Sequence, residues 1–196
     1  MKRIIWLLAL AFSLGAPLGA MAQSDPLNHI EVGAFADYFR LAAPNPAINF
    51  VGVGGRLAVN VTRNVQLEAE MAYDFKRTFA STFSNGASIQ FVNTDLRPLT
   101  ALFGPKFQTS GPVRAFVTGK VGFVNFSTSN QNAPAGFTSA LGAVTNGDTR
   151  VAFYPGAGVE GFWGPIGLRL EAGDEIYFDN GAKNNLKVSF GPVIRF

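Results

Sequence analysis

The chain has 196 residues, 22 of them Gly and 19 Phe, with 15% charged residues and a formal net charge of +3. It has no cysteine, which excludes disulfides, a lipidated cysteine anchor and thiolate metal sites together. Of its 16 basic residues Lys2 and Arg3 lie at the start, leaving 14 against 13 acids, scattered singly; that excludes the basic footprint of a nucleic-acid binder and a polybasic membrane patch.

Residues Met1 to Ala22 begin with Lys2 and Arg3, run through IIWLLALAF and end on the small-x-small triplet Ala20-Met21-Ala22. This pattern predicts a cleaved signal peptide over 1–22, leaving 23–196 as one domain. The apolar run is too short for a membrane helix, and no later segment is a long uncharged apolar helix, so crossing a membrane by helices is excluded.

From Ile30 to Leu41 the residues alternate: Ile30, Val32, Ala34, Ala36 and Tyr38 on one face, Glu31, Gly33 and Asp37 on the other. Alternation with period two marks a strand with one apolar face. After the loop Ala42 to Ile48, Val51, Val53, Gly55, Leu57, Val59 and Val61 oppose Gly52, Gly54, Arg56, Ala58 and Asn60. Beyond a tight turn at Thr62-Arg63-Asn64, Val65, Leu67, Ala69, Met71, Tyr73 and Phe75 oppose Gln66, Glu68, Glu70, Asp74 and Lys76. On a helix those charges would wrap the whole circumference, so a third strand is predicted.

A loop is expected over Ala80 to Asp95. A fourth strand follows, with Leu99, Ala101, Phe103, Pro105 and Phe107 opposite Thr100, Leu102, Gly104 and Lys106. The turn Thr109 to Pro112 leads to a fifth, with Val113, Ala115, Val117, Val121 and Phe123 opposite Arg114, Thr118, Lys120 and Gly122. A second long loop is expected over Ser127 to Asp148. Val151, Phe153, Ala157, Val159 and Trp163 then oppose Arg150, Tyr154, Gly156, Gly158 and Glu160, and the chain turns at Gly164-Pro165. Leu168, Leu170, Ala172, Ile176 and Phe178 oppose Arg169, Glu171, Gly173, Glu175 and Tyr177 in the seventh strand. Asp174 falls on the apolar face, which places it near an outer interface or beside a β-bulge at Gly173.

The last stretch, Asn185 to Phe196, puts Leu186, Val188, Phe190, Pro192, Ile194 and Phe196 on one face and Lys187, Ser189, Gly191, Val193 and Arg195 on the other. Its polar residue, glycine and two spaced hydrophobics, Ser189, Gly191, Ile194 and Phe196, resemble the terminal signature of bacterial outer-membrane β-barrels. With eight strands and alternating short and long connections, the chain is similar in architecture to the small outer-membrane barrels of the OmpA, OmpX and opacity type. The resemblance implies an all-β, eight-stranded antiparallel up-and-down transmembrane β-barrel in the bacterial outer membrane. It also implies outer-membrane lipid and the barrel-assembly machinery as partners, the latter reading the signature. Closure is a physical demand too, since an open sheet edge in hydrocarbon leaves backbone groups unpaired. A secreted lipocalin-like barrel with its oily face inward is the alternative; it would leave every strand charge outside and the terminal signature without a purpose.

In the membrane orientation Tyr38, Tyr73, Phe75, Phe123, Phe153 and Phe178 fall at the outer rim of the apolar surface, and Phe107, Trp163 and Phe196 at the inner rim, as an aromatic girdle. Strand adjacency predicts three inward ion pairs, Arg56 with Glu70, Glu160 with Arg169, and Glu31 with Arg195, closing the lumen as an ionic plug.

Chemistry is sparse. His29, the single histidine, is expected to be a solvated residue without a catalytic partner. The VGVGGR run at Val51 to Arg56 sits in a strand and opens no helix, so it is not a phosphate loop. Glu68, Glu70, Glu171 and Glu175 could pair as glycosidase carboxylates, but basic residues beside them and a filled barrel interior favour structural ion pairs. Neither an enzyme, a cofactor nor a metal site is expected; no EF-hand spacing occurs. The expected role is a scaffold displaying the loops Ala80 to Asp95 and Ser127 to Asp148 to an extracellular surface partner; the alternative is a narrow porin-like channel for small solutes.

Overall fold

The computed structural model describes residues 30–42, 47–84, 89–131, 147–179 and 181–196, with backbone alone at 79–84, 89–92, 130 and 131. The predicted signal peptide and His29 lie outside the described residues. All described secondary structure is β: β1 (Ile30–Leu41), β2 (Ile48–Thr62), β3 (Val65–Asp74), β4 (Arg77–Ser84), β5 (Ile89–Gln108), β6 (Val113–Gln131), β7 (Asp148–Trp163), β8 (Ile166–Asp174), β9 (Ile176–Phe178), β10 (Ala182–Lys183) and β11 (Leu186–Arg195). These segments make eight staves, because β3 and β4 share one, as do β8 and β9, and β10 and β11. Each stave pairs antiparallel with its sequence neighbours, and β1 pairs with β11 to close the barrel. At that seam the Phe196 amide donates to the Ile30 carbonyl at 2.9 Å.

The alternation read from the sequence sorts residues to the two sides of the wall, inverting the usual order. Val151, Trp163 and Met71 point outward at 68%, 71% and 56% exposure, while Glu68, Lys106 and Lys120 point inward at 0%. A hydrophobic cluster lies inside the barrel too, at the end with the longer connections. There Phe39, Leu41, Ile48, Phe50, Leu96, Val124 and Phe126 close together. This apolar layer was not expected from a lumen read as ionic throughout.

Both long loops expected from the sequence are shorter than that reading has them. The segment Ala80 to Asp95 is not a loop: Arg77–Ser84 and Ile89–Leu96 form a hairpin, with β4 pairing only with β5. The register explains the miss. Tyr73 opposes Leu99 but Arg77 opposes Leu96, so four steps on one strand match three on the other, a one-residue bulge at Phe75-Lys76. The bulge flips the alternation, and Lys76 leaves the inward face to meet Asp95 at 3.0 Å with its side chain 64% exposed. In the second expected loop, Ser127 to Gln131 continue β6, with Ser127 opposite Arg97 and Gln131 opposite Asn93; residues 132–146 lie outside the described residues.

Asp174 stays on the outward face. Both β8 and β9 hold one register against β7, with Gly156 opposite Gly173 and Ala152 opposite Tyr177, so no bulge re-aims it. Its carboxylate accepts hydrogen bonds from the Asn185 amide at 2.7 Å and from the Asn184 side chain at the outer end of the last hairpin. At the opposite end, Trp163 opposes Ile166 across Gly164-Pro165, and Gly164 has φ of 67°. A left-handed first position followed by proline is the geometry of a type II′ hairpin turn, which only glycine adopts without strain.

Candidate functional site: the lumen

Inward side chains form three charged layers below the apolar one. Nearest the short turns, Lys106 on β5 reaches Glu160 at 2.9 Å and Glu31 at 3.6 Å, while Arg114 on β6 stands 3.5 Å from Glu31 and 3.8 Å from Glu160. In the middle layer Glu68, Glu70 and Glu171 converge. Arg56 lies 2.9 Å from Glu70 and 3.2 Å from Glu171, and Lys120 is 2.7 Å from Glu70 and 2.9 Å from Glu171 while also meeting Glu68. Arg169 holds both oxygens of Glu68 and one of Glu171. Toward the apolar layer, Lys187 bonds Glu175 at 3.2 Å, and the Thr100 hydroxyl donates to Glu175 at 3.1 Å.

Removing such groups from water costs several kcal/mol per ion unless each is paired and hydrogen-bonded. The middle layer meets that requirement by sharing, each cation serving two or three carboxylates. Three carboxylates this close have the geometry of a metal triad. Here the Lys120 ammonium and two guanidinium groups already supply the positive charge a metal ion would bring.

The cations are held in place by aromatic rings. Arg56 stands 4.6 Å over Phe35; Lys106 and Arg169 share Phe116 at 5.1 and 4.2 Å; Arg114 and Arg195 share Phe162 at 5.0 and 4.4 Å; Lys120 and Lys187 share Tyr154 at 5.3 and 5.9 Å. Each ring in turn lies against a glycine of the wall. A Cβ on Gly54 would be 2.2 Å from Phe35, on Gly158 2.4 Å from Phe116, on Gly167 2.7 Å from Phe162, and on Gly173 2.6 Å from Tyr154. Glycine thus makes the recess, the ring fills it, and the ring's negative face meets a cation.

Of the three predicted pairs, the structure brings Arg56 and Glu70 together across the β2 and β3 ladder. Glu160 and Arg169 are register partners, but their closest approach is 4.0 Å, because Arg169 turns to Glu68 and Glu171 while Glu160 goes to Lys106. Glu31 and Arg195 are also register partners, yet the ion pair expected between them is not the contact made. Arg195 stacks on Phe162 and donates to the Gly164 carbonyl at 3.0 Å, whereas Glu31 points across the lumen to Lys106 and Arg114. Sequence reasoning placed Lys106, Arg114, Lys120 and Lys187 on the inward face without partners. Lys106 and Lys120 find their partners on staves they do not adjoin, which no adjacency rule reaches, whereas Arg114 stands opposite its register partner Glu160 and Lys187 bonds Glu175 on the adjoining stave.

The terminal residues Ser189 and Gly191 face inward and Ile194 outward at 42% exposure. Ser189 accepts a hydrogen bond from Arg56 at 3.2 Å. A Cβ on Gly191 would sit 2.0 Å from the Ala34 carbonyl, so the β1 to β11 seam has room for no other residue there. Tyr38, Tyr73, Phe75, Phe107, Phe123, Phe153, Trp163 and Phe178 all face outward, and Phe196 is half-buried at the seam. Tyr73 also accepts a hydrogen bond from Arg97 at 2.8 Å, and Tyr38 donates to Asn49 at 3.1 Å.

An apolar outside, a charged inside and a closed antiparallel wall define a small barrel of the kind built for lipid surroundings. The chain has the fold of the small eight-stranded outer-membrane barrels. It superposes on the attachment invasion locus protein Ail of Yersinia pestis, solved in complex with the heparin analogue sucrose octasulfate, with a TM-score of 0.52 and 15% identity over 86% of this chain and 97% of that one. It superposes likewise on Neisserial surface protein A, with a TM-score of 0.51 and 15% identity over 85% and 97% of the two chains. No protein-family model and no curated protein matches the sequence.

Proposed function

We propose that residues 23–196, freed of a signal peptide over 1–22, form an integral barrel of the bacterial outer membrane that acts as a closed scaffold rather than a conduit. The observation that carries the reading is the inversion itself: a belt of exposed Val, Leu and Phe surrounds fully buried Glu, Lys and Arg, an order that water disfavours and hydrocarbon favours. Three layers of shared ion pairs and an apolar layer above them fill the interior, which supports closure. Steady conductance in planar bilayers should therefore be near zero for the purified, heat-modifiable protein. A large and stable single-channel conductance would replace the scaffold with the porin-like channel.

The scaffold presents its outer hairpins to a surface partner. Support comes from the β4 and β5 hairpin, which continues the wall past the end of β3, and from the fold shared with an attachment protein and a surface protein. Replacing 80–95 and 127–148 by short turns should leave the barrel folded and abolish binding to the partner surface. Undiminished adhesion to every host and abiotic surface would remove this role and leave envelope integrity. Ser189, Gly191, Ile194 and Phe196 serve as the signal read by the barrel-assembly machinery.

A further inference from the structure

Where the charged layers meet the apolar one, Asp37 on β1 and Asp74 on β3 face inward, and both are register partners of Gly52 on the strand between them. Gly52 offers no side chain to separate them. A Cβ there would lie 2.7 Å from Asp74 Oδ1, so the Asp74 carboxyl group occupies the space over the glycine. Asp37 is 2% exposed and Asp74 1%, and none of their four carboxyl oxygens has a hydrogen-bond partner among the described residues.

Counter-charge is short at this level. The charged groups facing the pair are Lys187, Glu175, Glu70 and Arg56. Lys187 is engaged by Glu175 at 3.2 Å and Glu70 at 3.7 Å, and comes only within 3.9 Å of Asp37. Arg56 is committed to Glu70, Glu171 and Glu68. Three carboxyl groups, Asp37, Asp74 and Glu175, are thus served by one shared ammonium. Two ionised carboxylates left buried without donors would be among the costliest arrangements a protein holds, and neighbouring carboxylates at one site do not both keep their charge.

We propose that the Asp37 and Asp74 pair is a binding site for one small hard cation, either a metal ion of the oxygen-seeking class or a proton shared by the two carboxyl groups. The cation completes the charge balance of the outer lumen and joins the ionic layers to the apolar one. The middle-layer triad of Glu68, Glu70 and Glu171 has no such need, since three cations already fill it.

The test uses the full folded barrel in lipid vesicles. Urea midpoints are measured for wild type, Asp37→Asn, Asp74→Asn and the double variant in two arms. One arm adds CaCl2 or NaCl against choline chloride at equal ionic strength; the other varies pH in metal-free choline buffer. Wild type should respond in one arm, which identifies metal or proton, and the double variant should lose that response while unfolding at no lower midpoint. A response kept by the double variant overturns the proposal, as does its absence from wild type in both arms. In wild type itself, carboxyl 13C shifts of Asp37 and Asp74 that report free carboxylates, unmoved by metal or pH, overturn it without recourse to any variant.

Discussion

Lys120 on β6 places its ammonium 2.9 Å from Glu171 on β8, two staves that are not neighbours in the wall. The contact crosses the lumen, so the interior ties together strands that the backbone ladder leaves apart. Removing Lys120 leaves Glu68, Glu70 and Glu171 short of one counter-charge. Lys120→Met should lower the unfolding free energy by about 3–5 kcal/mol. Urea titration in vesicles measures it, and adding Glu171→Gln should recover part of the loss, since the two changes share one network.

Gly191 and Gly55 give a matched comparison. A side chain at Gly191 meets the Ala34 carbonyl at 2.0 Å, backbone that cannot step aside, whereas at Gly55 the nearest atom is the Gly33 carbonyl at 3.9 Å. Gly191→Ala should fail to yield the compact, heat-modifiable band on gels. Gly55→Ala should fold as wild type does.

Phe196 closes the seam through its amide to Ile30, and its ring adds apolar surface at the predicted inner rim. If the terminal signature directs assembly, Phe196→Ala will reduce insertion in cells more than refolding of the purified chain. Equal effects in both assays would show a purely structural residue.

The sequence has two tryptophans, Trp6 within 1–22 and Trp163. Cleavage of 1–22 leaves Trp163 alone, 71% exposed on the outward face beside the Gly164-Pro165 turn. Its fluorescence should be quenched by lipids brominated near the headgroup more than by lipids brominated at the chain ends. Emission typical of water, untouched by either lipid, would remove the membrane belt.

Much of this barrel is legible in the sequence because its two faces differ so sharply. Period-two alternation assigned Glu68, Glu70, Lys106, Lys120 and Arg169 to the inside and Met71, Phe103 and Val121 to the outside, and the short turns fixed Arg56 against Glu70. What could not be read has two physical sources. A bulge such as the one at Phe75-Lys76 shifts the alternation by one residue, and the uncharged Thr, Phe and Ser that follow look the same in a hairpin as in a loop. Contacts across a lumen depend on barrel stagger and side-chain reach rather than on adjacency. For that reason Glu31 found Lys106 and Arg114, and Arg195 found Phe162.

Tyr154 lies against Gly156 and Gly173 on one side and faces Lys120 and Lys187 on the other. Tyr154→Phe keeps both contacts and should cost about 1 kcal/mol or less. Tyr154→Ala should cost about 3–5 kcal/mol, since it opens a void and strips two cations of their support. Thermal or urea unfolding separates the two variants.

The stacking of glycine, ring and cation also bears on how such a chain can change over generations. A larger residue at Gly173 needs Tyr154 to shrink and the Pro155 carbonyl, also 2.6 Å from the added Cβ, to give way, and a smaller residue at 154 needs something else to steady Lys120 and Lys187. The lumen therefore varies in linked sets rather than position by position. Single substitutions inside it should mostly be losses, whereas exchange of a whole set should be tolerated better than any of its members changed alone.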